Sequence, residues 1–242
     1  VLFLFLCPTN MKLIGLTGGI ACGKSTVSNM FREHNLPIID ADVVAREVVE
    51  PGTPTYYKII DRFGKDFLEE QPPSSSLPPI DRKKLGARVF GNESERKALT
   101  AITSPVIRNE MLRQIVMHFL RGTQVVILDV PLLIESGLDK FCSKVVVVSV
   151  PEDVQLDRLM NRDKSEKEYA MNQIKSQLPL EIKKKKADVI IDNSGSLENT
   201  KQQIDDFVHQ ILPGTLSVLF SYRNILISSL LLLFAVTIRS RL

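Results

Sequence analysis

The sequence contains no tryptophan and only three histidines and three cysteines among its 242 residues. So few histidines make a histidine-based metal centre or catalytic triad a poor first hypothesis. The cysteines, at positions 7, 22 and 142, form no CxxC pair and have no metal-ligand spacing, which argues against a disulfide scaffold and a zinc site. A strong excess of basic charge is also lacking. The formal net charge of +3 suits phosphorylated ligands but does not indicate a nucleic-acid-binding protein.

The remaining composition is that of a folded globular protein, with 44% hydrophobic and 24% charged residues. A chain of this length holds one sizeable domain, or a core with a small subdomain. We assign this domain to residues 11–212. Residues 1–10 lack the basic start and cleavage site of a targeting segment, and Met11 follows them directly. They are predicted to be an upstream extension that is not native, with a degenerate targeting peptide as the alternative.

A second apolar segment, residues 216–238, lies near the other end of the chain. Residues 225–238 carry no charge, and about 20 helical residues span the ~30 Å hydrocarbon layer of a membrane. Arg223 interrupts the segment, but an arginine near the membrane interface can extend its charge to water. We predict a C-terminal transmembrane tail; the alternative is an apolar helix that packs against the domain.

Between the two ends, short runs rich in valine and isoleucine alternate with segments of helical periodicity. The predicted strands are 12–16, 37–40, 124–130, 144–150 and 187–192. The predicted helices are 24–33, 42–49, 55–63, 82–90, 105–120, 151–161, 165–177 and 197–212. This alternation indicates an α/β fold with a mostly parallel sheet covered by helices on both faces. The long helical stretch at about 42–120 exceeds one crossover and is predicted to be an insert that holds a second substrate.

A glycine-rich segment follows the first predicted strand and opens the first predicted helix. It matches GxxxxGK[ST] and comprises Gly18, Gly19, Ile20, Ala21, Cys22, Gly23, Lys24 and Ser25, with Thr26 next in the helix. The glycines let backbone N–H groups turn toward phosphate oxygens, and the helix N-terminus adds its positive dipole end. Lys24 is expected to reach the β- and γ-phosphates of ATP, and Ser25 to ligate Mg²⁺. The sequence therefore predicts a P-loop that binds ATP.

Cys22 lies within this loop, at a helix N-terminus and near a lysine. These surroundings are typical of a thiol with a lowered pKa. The backbone of Cys22 is nevertheless expected to matter more than its side chain.

Carboxylates follow two of the predicted strands, at the sheet edge where parallel strands face a ligand crevice. Asp40 and Asp42 follow the second strand, and either is a candidate to accept a proton from an attacking hydroxyl or to hold Mg²⁺ through water. Asp42 could instead, or in addition, cap the helix that follows. Asp129 ends the third predicted strand, where a carboxylate near Mg²⁺ is expected.

Arg158 and Arg162 are four residues apart in a predicted helix and therefore share one face. Two guanidinium groups on one face can clamp phosphates and stabilise the charge that develops during transfer. A solvated charged helix face is the alternative. The basic run 183–186 is predicted to be a solvated turn rather than a phosphate site.

Jointly, these motifs resemble the dephospho-CoA kinase family. The resemblance covers about residues 11–212 and rests on the segments LTGGIACGKSTV, IDADVVAREVV, LDVPLL, QLDRLMNRD and ADVIIDNSG, which occur in this order. With its apolar tail, the chain most resembles the animal members of the family.

The resemblance implies a nucleoside-monophosphate-kinase-like fold with a core, a CoA-binding helical domain and a mobile lid. It implies transfer of phosphate from ATP, with Mg²⁺, to the ribose 3′-hydroxyl of dephospho-CoA. Asp42 matches the candidate general base, and Asp40 and Arg46 belong to the same acceptor-side motif. The lid motif contributes two phosphate contacts, Arg158 and Arg162, and Asn193 matches a residue near the adenine.

Two features depart from the family pattern. Ser104 stands before Pro105 where the family usually has histidine, which changes one acceptor-side contact. The proline- and serine-rich loop at 71–79 replaces a short glycine turn, a change expected to affect an exposed loop rather than the chemistry.

The leading hypothesis is an active dephospho-CoA kinase that is tethered to a membrane with its domain facing the cytosol. The basic flanks of the tail suggest the mitochondrial outer membrane or the endoplasmic reticulum, and we favour the former. Without insertion of the tail the protein would be cytoplasmic. The alternatives are a kinase of the same fold with another small acceptor, and a catalytically weak membrane protein that binds ATP or CoA. Retention of Lys24, Asp42, Arg158 and Arg162 favours an enzyme. The sequence does not predict the oligomeric state.

Overall fold

The computed structural model describes residues 11–69 and 77–212. The predictions for residues 1–10, for the tail at 216–238 and for most of the loop at 71–79 lie outside the described residues and stay predictions. Within the two described ranges, no helix is both long enough and apolar enough to cross a membrane.

Five strands form one sheet in the order β2-β3-β1-β4-β5. Their bounds are β1 Lys12–Gly18, β2 Ile38–Asp40, β3 Val125–Asp129, β4 Lys144–Ser149 and β5 Val189–Asp192. β1 pairs in parallel with β3 and with β4, and β4 pairs in parallel with β5. The continuous valine and isoleucine runs suit this arrangement, because the inner strands of a parallel sheet are buried on both faces. The predicted α/β fold with a parallel sheet is confirmed.

Helices connect the strands. Their bounds are α1 Lys24–Glu33, α2 Ala41–Glu47, α3 Pro54–Phe63, α4 Arg82–Phe90, α5 Glu93–Leu120, α6 Glu152–Asp163, α7 Lys167–Lys175, α8 Leu180–Lys185 and α9 Leu197–Ile211, with a short 3₁₀ helix at Leu138–Phe141. The described chain divides into two compact units. The first contains residues 11–38 and 117–212, and the second contains residues 39–116.

The core of the first unit joins the sheet to helices α1 and α9. Val27, Met30 and Phe31 of α1 are buried at helical spacing, as an amphipathic helix packed on one face requires. Phe31 meets Phe207 of α9 edge-on, with ring centroids 6.1 Å apart. This packing holds α1 against the sheet and therefore limits the movement of the loop between β1 and α1.

The second unit has its own apolar core, built around α3. Its buried members are Tyr56, Ile59, Phe63, Phe67, Ile80 and Leu85. The hydroxyl of Thr53 caps α3 by accepting from the N–H of Tyr56, and Pro54 occupies the start of the helix, where proline loses no intrahelical hydrogen bond. The predicted helical insert at about 42–120 overlaps this unit.

Two predictions about helices are wrong. The helix predicted to begin at Pro105 begins at Glu93 and continues through the proline. The side chain of Asn92 starts it by accepting from the N–H groups of Ser94 and Glu95, and strong helix formers follow. The basic run predicted to form a turn belongs instead to helix α8 and the residue after it.

Pro105 is exposed within α5, where proline removes one backbone hydrogen bond. We predict that Pro105→Ala raises the free energy of unfolding by up to about 3 kcal/mol, because alanine restores the N–H donor and favours the helix. Urea unfolding followed by circular dichroism measures the change. Arg108→Ala, exposed on the same helix, is the control and should stay within about 0.5 kcal/mol of the wild type. Equal stability of Pro105→Ala and the wild type would contradict the prediction.

Candidate active site

The loop between β1 and α1 makes a tight turn against its neighbours. Gly23 has a φ of 86°, a left-handed conformation, and a Cβ at this position would overlap the side-chain amide of Asn193. A Cβ on Gly18 would lie 2.7 Å from the carbonyl oxygen of Val148. Ala21 also has a positive φ, of 59°, which is uncommon for a residue with a side chain and clusters at functional sites. The close packing therefore requires glycine at positions 18 and 23.

Helix α1 begins at Lys24, directly after this turn. Within residues 11–69 and 77–212, no side chain caps its N-terminus, so its first N–H groups can serve an anion. The helix dipole adds partial positive charge at the same point. Ser25 is exposed and Thr26 half-buried in this first turn. The arrangement can bind a phosphate group.

Lys24 forms an ion pair with Asp129, the last residue of β3, with 2.5 Å between Nζ and Oδ1. The carboxylate side chain is 2% exposed and the lysine side chain 18% exposed. The register of β1 with β3 places Asp129 opposite Leu16, two residues before the loop begins. The pair gives a buried carboxylate the counter-ion it requires. Both residues were predicted from the sequence, and the structure brings them together.

The segment that follows β5 contacts the same loop. Asn193 is buried; its Nδ2 donates to the carbonyl oxygen of Cys22 at 2.9 Å, and its Oδ1 accepts from the hydroxyl of Thr200 at 3.0 Å. Arg158 donates to the carbonyl oxygen of Asn193 at 3.0 Å. The side chain of Asn193 therefore holds the loop, and the adenine contact implied by the resemblance stays a prediction.

The structure separates the two arginines of α6. Arg158 contacts Asn193 beside the loop, whereas Arg162 donates two hydrogen bonds to the adjacent Asp163, at 2.7 and 3.1 Å. Hydrogen bonding to Asp163 raises the pKa of Arg162, which keeps the guanidinium charged. A guanidinium has five N–H donors, and the phosphate contact of Arg162 stays a prediction.

Two glutamines that the sequence analysis did not single out bind the loop at Ile20. Gln155 is buried in α6 and donates to the carbonyl oxygen of Ile20 at 2.9 Å. Gln177 accepts from the N–H of Ile20 at 3.1 Å. Gln155 lies one helical turn before Arg158 and on the same face, which is a signal that could have identified it. Gln177 follows α7 and carries no comparable local signal.

The prediction that the basic run 183–186 is solvated is wrong for Lys183. This side chain is 0% exposed and pairs with Glu135 at 2.8 Å, and its Nζ also donates to the carbonyl oxygens of Gly18 and Pro131. Lys185, in the same run, is exposed. A buried ammonium requires such partners because leaving water disfavours its charge. Four consecutive lysines do not reveal which one is buried.

The lowered pKa that the sequence neighbours of Cys22 would favour is absent. Cys22 is fully buried. Burial raises the pKa of its thiol and outweighs the opposing effects of backbone hydrogen bonds and of the charges on Arg158 and Lys183. Burial likewise raises the pKa of Cys142, to about 11. The Cys22 side chain therefore packs as an apolar group, which leaves its backbone as the part that shapes the loop.

In the second unit, Asp40 and not Asp42 caps helix α2, which corrects the alternative weighed from the sequence. The carboxylate of Asp40 accepts from the N–H groups of Asp42 and Val43, at 2.9 and 3.2 Å. Asp42 lies in the first turn of α2 and is exposed. Of the two carboxylates, Asp42 is the one that solvent reaches most directly.

A cavity of about 400 Å³ opens within the second unit. Its charged lining residues are Arg46, Glu50, Glu69, Asp81, Arg82 and Lys83. Asp81 is already engaged at the start of α4, where N–H groups of Lys84 and Lys83 hold its pKa below the usual range. Arg46, predicted to contact the acceptor, thus lines a cavity within the size range of small-molecule sites. Ser104 is exposed on α5 and is not part of this lining.

In the part of the chain that the structure describes, no three acidic, histidine or cysteine side chains cluster into a preformed metal site. The predicted Mg²⁺ contacts are the hydroxyl of Ser25 and the buried carboxylate of Asp129. Mg²⁺ commonly takes one or two carboxylates and completes its shell with substrate phosphates and water. These two residues fit a site of that kind.

Comparison with known proteins is consistent with these features. A family model described as dephospho-CoA kinase matches residues 12–199. The dephospho-CoA kinase of Bacillus cereus is 50% identical over 193 residues, which cover 80% of this chain and 94% of that protein. The dephospho-CoA kinase of Oryza sativa is 42% identical over 201 residues, which cover 83% of this chain and 85% of that protein.

A solved structure is also similar. Dephospho-CoA kinase from Campylobacter jejuni is 32% identical with a TM-score of 0.63, and the match covers 82% of this chain and 96% of that one. The particular resemblance to animal members of the family stays a prediction.

Proposed function

The chain belongs to the dephospho-CoA kinase family, and we propose that it transfers the γ-phosphoryl group of ATP to the ribose 3′-hydroxyl of dephospho-CoA, forming CoA and ADP. The observation that carries this proposal is the phosphate loop whose Lys24 pairs with Asp129 at the end of β3. A glycine-rich loop, its lysine and a carboxylate on the neighbouring strand are the groups with which P-loop enzymes handle ATP phosphates.

The loop supports binding of the β- and γ-phosphates. The N–H groups at the N-terminus of α1 supply hydrogen bonds and positive potential. Lys24 supplies a full positive charge, which offsets the negative charge on the phosphoryl group during transfer. Asn193 and Gln155 hold the loop from outside, so these donors need little rearrangement when ATP binds.

We assign the Mg²⁺ contacts to Ser25 and Asp129. These residues would hold the metal beside the loop, where its positive charge would neutralise part of the charge on the ATP phosphates. Asp129 then has two roles, as counter-ion of Lys24 and as the carboxylate near the metal.

On the acceptor side, we assign the role of general base to Asp42. Asp40 caps α2 and thereby orients the first turn, which leaves the exposed Asp42 carboxylate for proton transfer. The reaction forms a bond between the 3′-oxygen and the γ-phosphorus and breaks the bond from that phosphorus to the oxygen retained by ADP. The hydroxyl proton passes to Asp42.

The cavity of the second unit supports acceptor binding. Dephospho-CoA combines a diphosphate with a long uncharged arm. Arg46, Arg82 and Lys83 are the basic groups that could bind the diphosphate, and they lie beside the carboxylates of Glu50, Glu69 and Asp81 in the same lining. The apolar lining at Val49 and Ile80 suits the arm. We extend the proposal to the finer family arrangement, in which the second unit is the acceptor domain and the residues after Arg158 form a lid.

The reaction is tested directly by incubating the purified full chain with ATP, Mg²⁺ and dephospho-CoA and measuring ADP and CoA. We expect equal amounts of both products. Lys24→Ala should reduce turnover to background, because the charge that faces the phosphates is lost. A wild-type rate no higher than that of Lys24→Ala would contradict the proposed function. Other small hydroxyl acceptors, tried in the same assay, distinguish a kinase with a different substrate.

Asp42→Asn should lower kcat by about 10²–10⁴-fold, the usual contribution of a general base. The amide keeps the size of the side chain but cannot accept the proton. Steady-state kinetics with both substrates measures the effect. Glu47→Gln removes an exposed carboxylate from the same helix and should leave kcat unchanged. If Asp42→Asn also leaves kcat unchanged, Asp42 is not the base.

Arg46→Ala should raise the KM for dephospho-CoA by roughly 10-fold or more, the effect of losing one hydrogen bond to a charged group. The KM for ATP and kcat should change little, because the contact is made before and during transfer alike. Arg96→Ala makes the same charge change on the exposed surface of α5 and serves as the control. An unchanged KM for dephospho-CoA in Arg46→Ala would remove this cavity from acceptor binding.

A further inference from the structure

Lys183 contacts the first residue of the phosphate loop and is 0% exposed. Among the residues that the structure describes, it is the only buried lysine. Moving an ammonium out of water is unfavourable unless its N–H groups find acceptors, and apolar residues of similar volume are often no less stable in such positions. A lysine at this position therefore suggests that its N–H donors are needed, which an apolar side chain would not supply.

The ammonium of Lys183 has three N–H donors, and the structure provides three acceptors. The carboxylate of Glu135 lies 2.8 Å from Nζ, and the carbonyl oxygens of Gly18 and Pro131 each lie 3.3 Å from it. The acceptors lie in two segments: Gly18 at the start of the phosphate loop, and Pro131 and Glu135 in the turn that follows β3. Lys183 therefore joins helix α8 to two segments that are distant from α8, and from each other, in the sequence.

These two segments also carry the central ion pair of the site. Gly18 begins the loop that leads to Lys24, and Pro131 follows Asp129 by two residues. The hydroxyl of Thr17 donates to the same carbonyl oxygen of Pro131 at 2.8 Å. A shift of Gly18 relative to Pro131 would therefore change the position of Lys24 relative to Asp129.

The segment that leads from α7 into α8 contacts the loop at a second point. Gln177 accepts from the N–H of Ile20 at 3.1 Å, and the N–H of Leu178 donates to Glu135 at 3.3 Å. Glu135 thus binds both Leu178 and Lys183, which fastens the two ends of this segment. The phosphate loop is held at Gly18 and at Ile20 by residues from one continuous stretch of chain.

We propose that Lys183 is a positioning residue for phosphoryl transfer, one that sets the distance between the phosphate loop and the end of β3 through the carbonyl groups of Gly18 and Pro131. This role rests on the proposed function. Lys183 acts through Lys24 and Asp129 and is not assigned a contact with either substrate. Loss of Lys183 should keep the positive charge of Lys24 but shift its position. We therefore expect weaker phosphate binding and slower transfer, with acceptor binding unchanged.

Lys183→Met tests this role, because methionine has a similar length but no hydrogen-bond donor. We expect kcat to fall roughly 10- to 100-fold, as for a small misplacement of catalytic groups. The Kd for Mg²⁺-ADP, measured by calorimetry, should rise roughly 10-fold, whereas the KM for dephospho-CoA should stay within about 2-fold of the wild type. Lys185→Met, in the same basic run but exposed, should change none of these values.

The double variant Glu135→Met/Lys183→Met separates positioning from stability. Removing both charges avoids leaving the Glu135 carboxylate, whose side chain is 23% exposed, without its ion-pair partner and should favour folding. It does not restore the donors to Gly18 and Pro131. We therefore expect a folded protein with kcat and ADP affinity still reduced. Recovery of both values in the double variant would overturn the proposal, as would wild-type values in Lys183→Met.

Failure of both variants to fold would assign Lys183 to core stability and would also overturn the proposal. The ADP measurement needs no acceptor, so it tests Lys183 even if the wild-type chain does not phosphorylate dephospho-CoA. If the wild-type chain does not phosphorylate dephospho-CoA, the product assay shows it without any variant. That result would contradict the proposed function and not the role of Lys183.

Discussion

The ion pair between Lys24 and Asp129 links the phosphate loop to the middle of the sheet, and the geometry of the site depends on it. Asp129 is 1% exposed, and a buried carboxylate without a partner is unfavourable by several kcal/mol. The loop lysine supplies that partner because β3 lies next to β1 in the sheet, so their carboxyl ends meet at one edge. A different strand order would separate the two charges.

The ion pair places Lys24 correctly for a phosphate only if the loop has a defined shape. Side chains from several segments that are distant in sequence fix that shape. Asn193 binds the carbonyl of Cys22, Gln155 binds the carbonyl of Ile20, and Lys183 binds the carbonyl of Gly18. With these carbonyl groups bound by neighbouring side chains, the N–H groups at the start of α1 can face a ligand. Donors fixed before the ligand arrives lose little conformational freedom on binding, which favours both affinity and transition-state stabilisation.

The sequence predicts those parts of the site that depend on local residue patterns. Val125–Asp129 is recognisable because a buried parallel strand needs branched aliphatic residues throughout. The phosphate loop is recognisable because glycine is needed at positions 18 and 23, where a Cβ would meet Val148 and Asn193. Asp129 follows from its position at the strand end. In each case the physical requirement acts on residues that are close in sequence.

The parts that sequence reasoning missed depend on burial, which tertiary packing decides. Local pattern indicated a lowered pKa for Cys22, since a helix N-terminus and cations favour a thiolate. Burial opposes this, and it dominates because desolvation acts on the whole charge, whereas Arg158 and Lys183 act from a distance and are themselves bound to carbonyl groups. The same packing converts one lysine of a basic run into a buried residue with three acceptors. Whether a lysine is buried or exposed thus depends on hydrogen-bond acceptors from segments that are distant in sequence. The positions of those acceptors are known only from the folded structure.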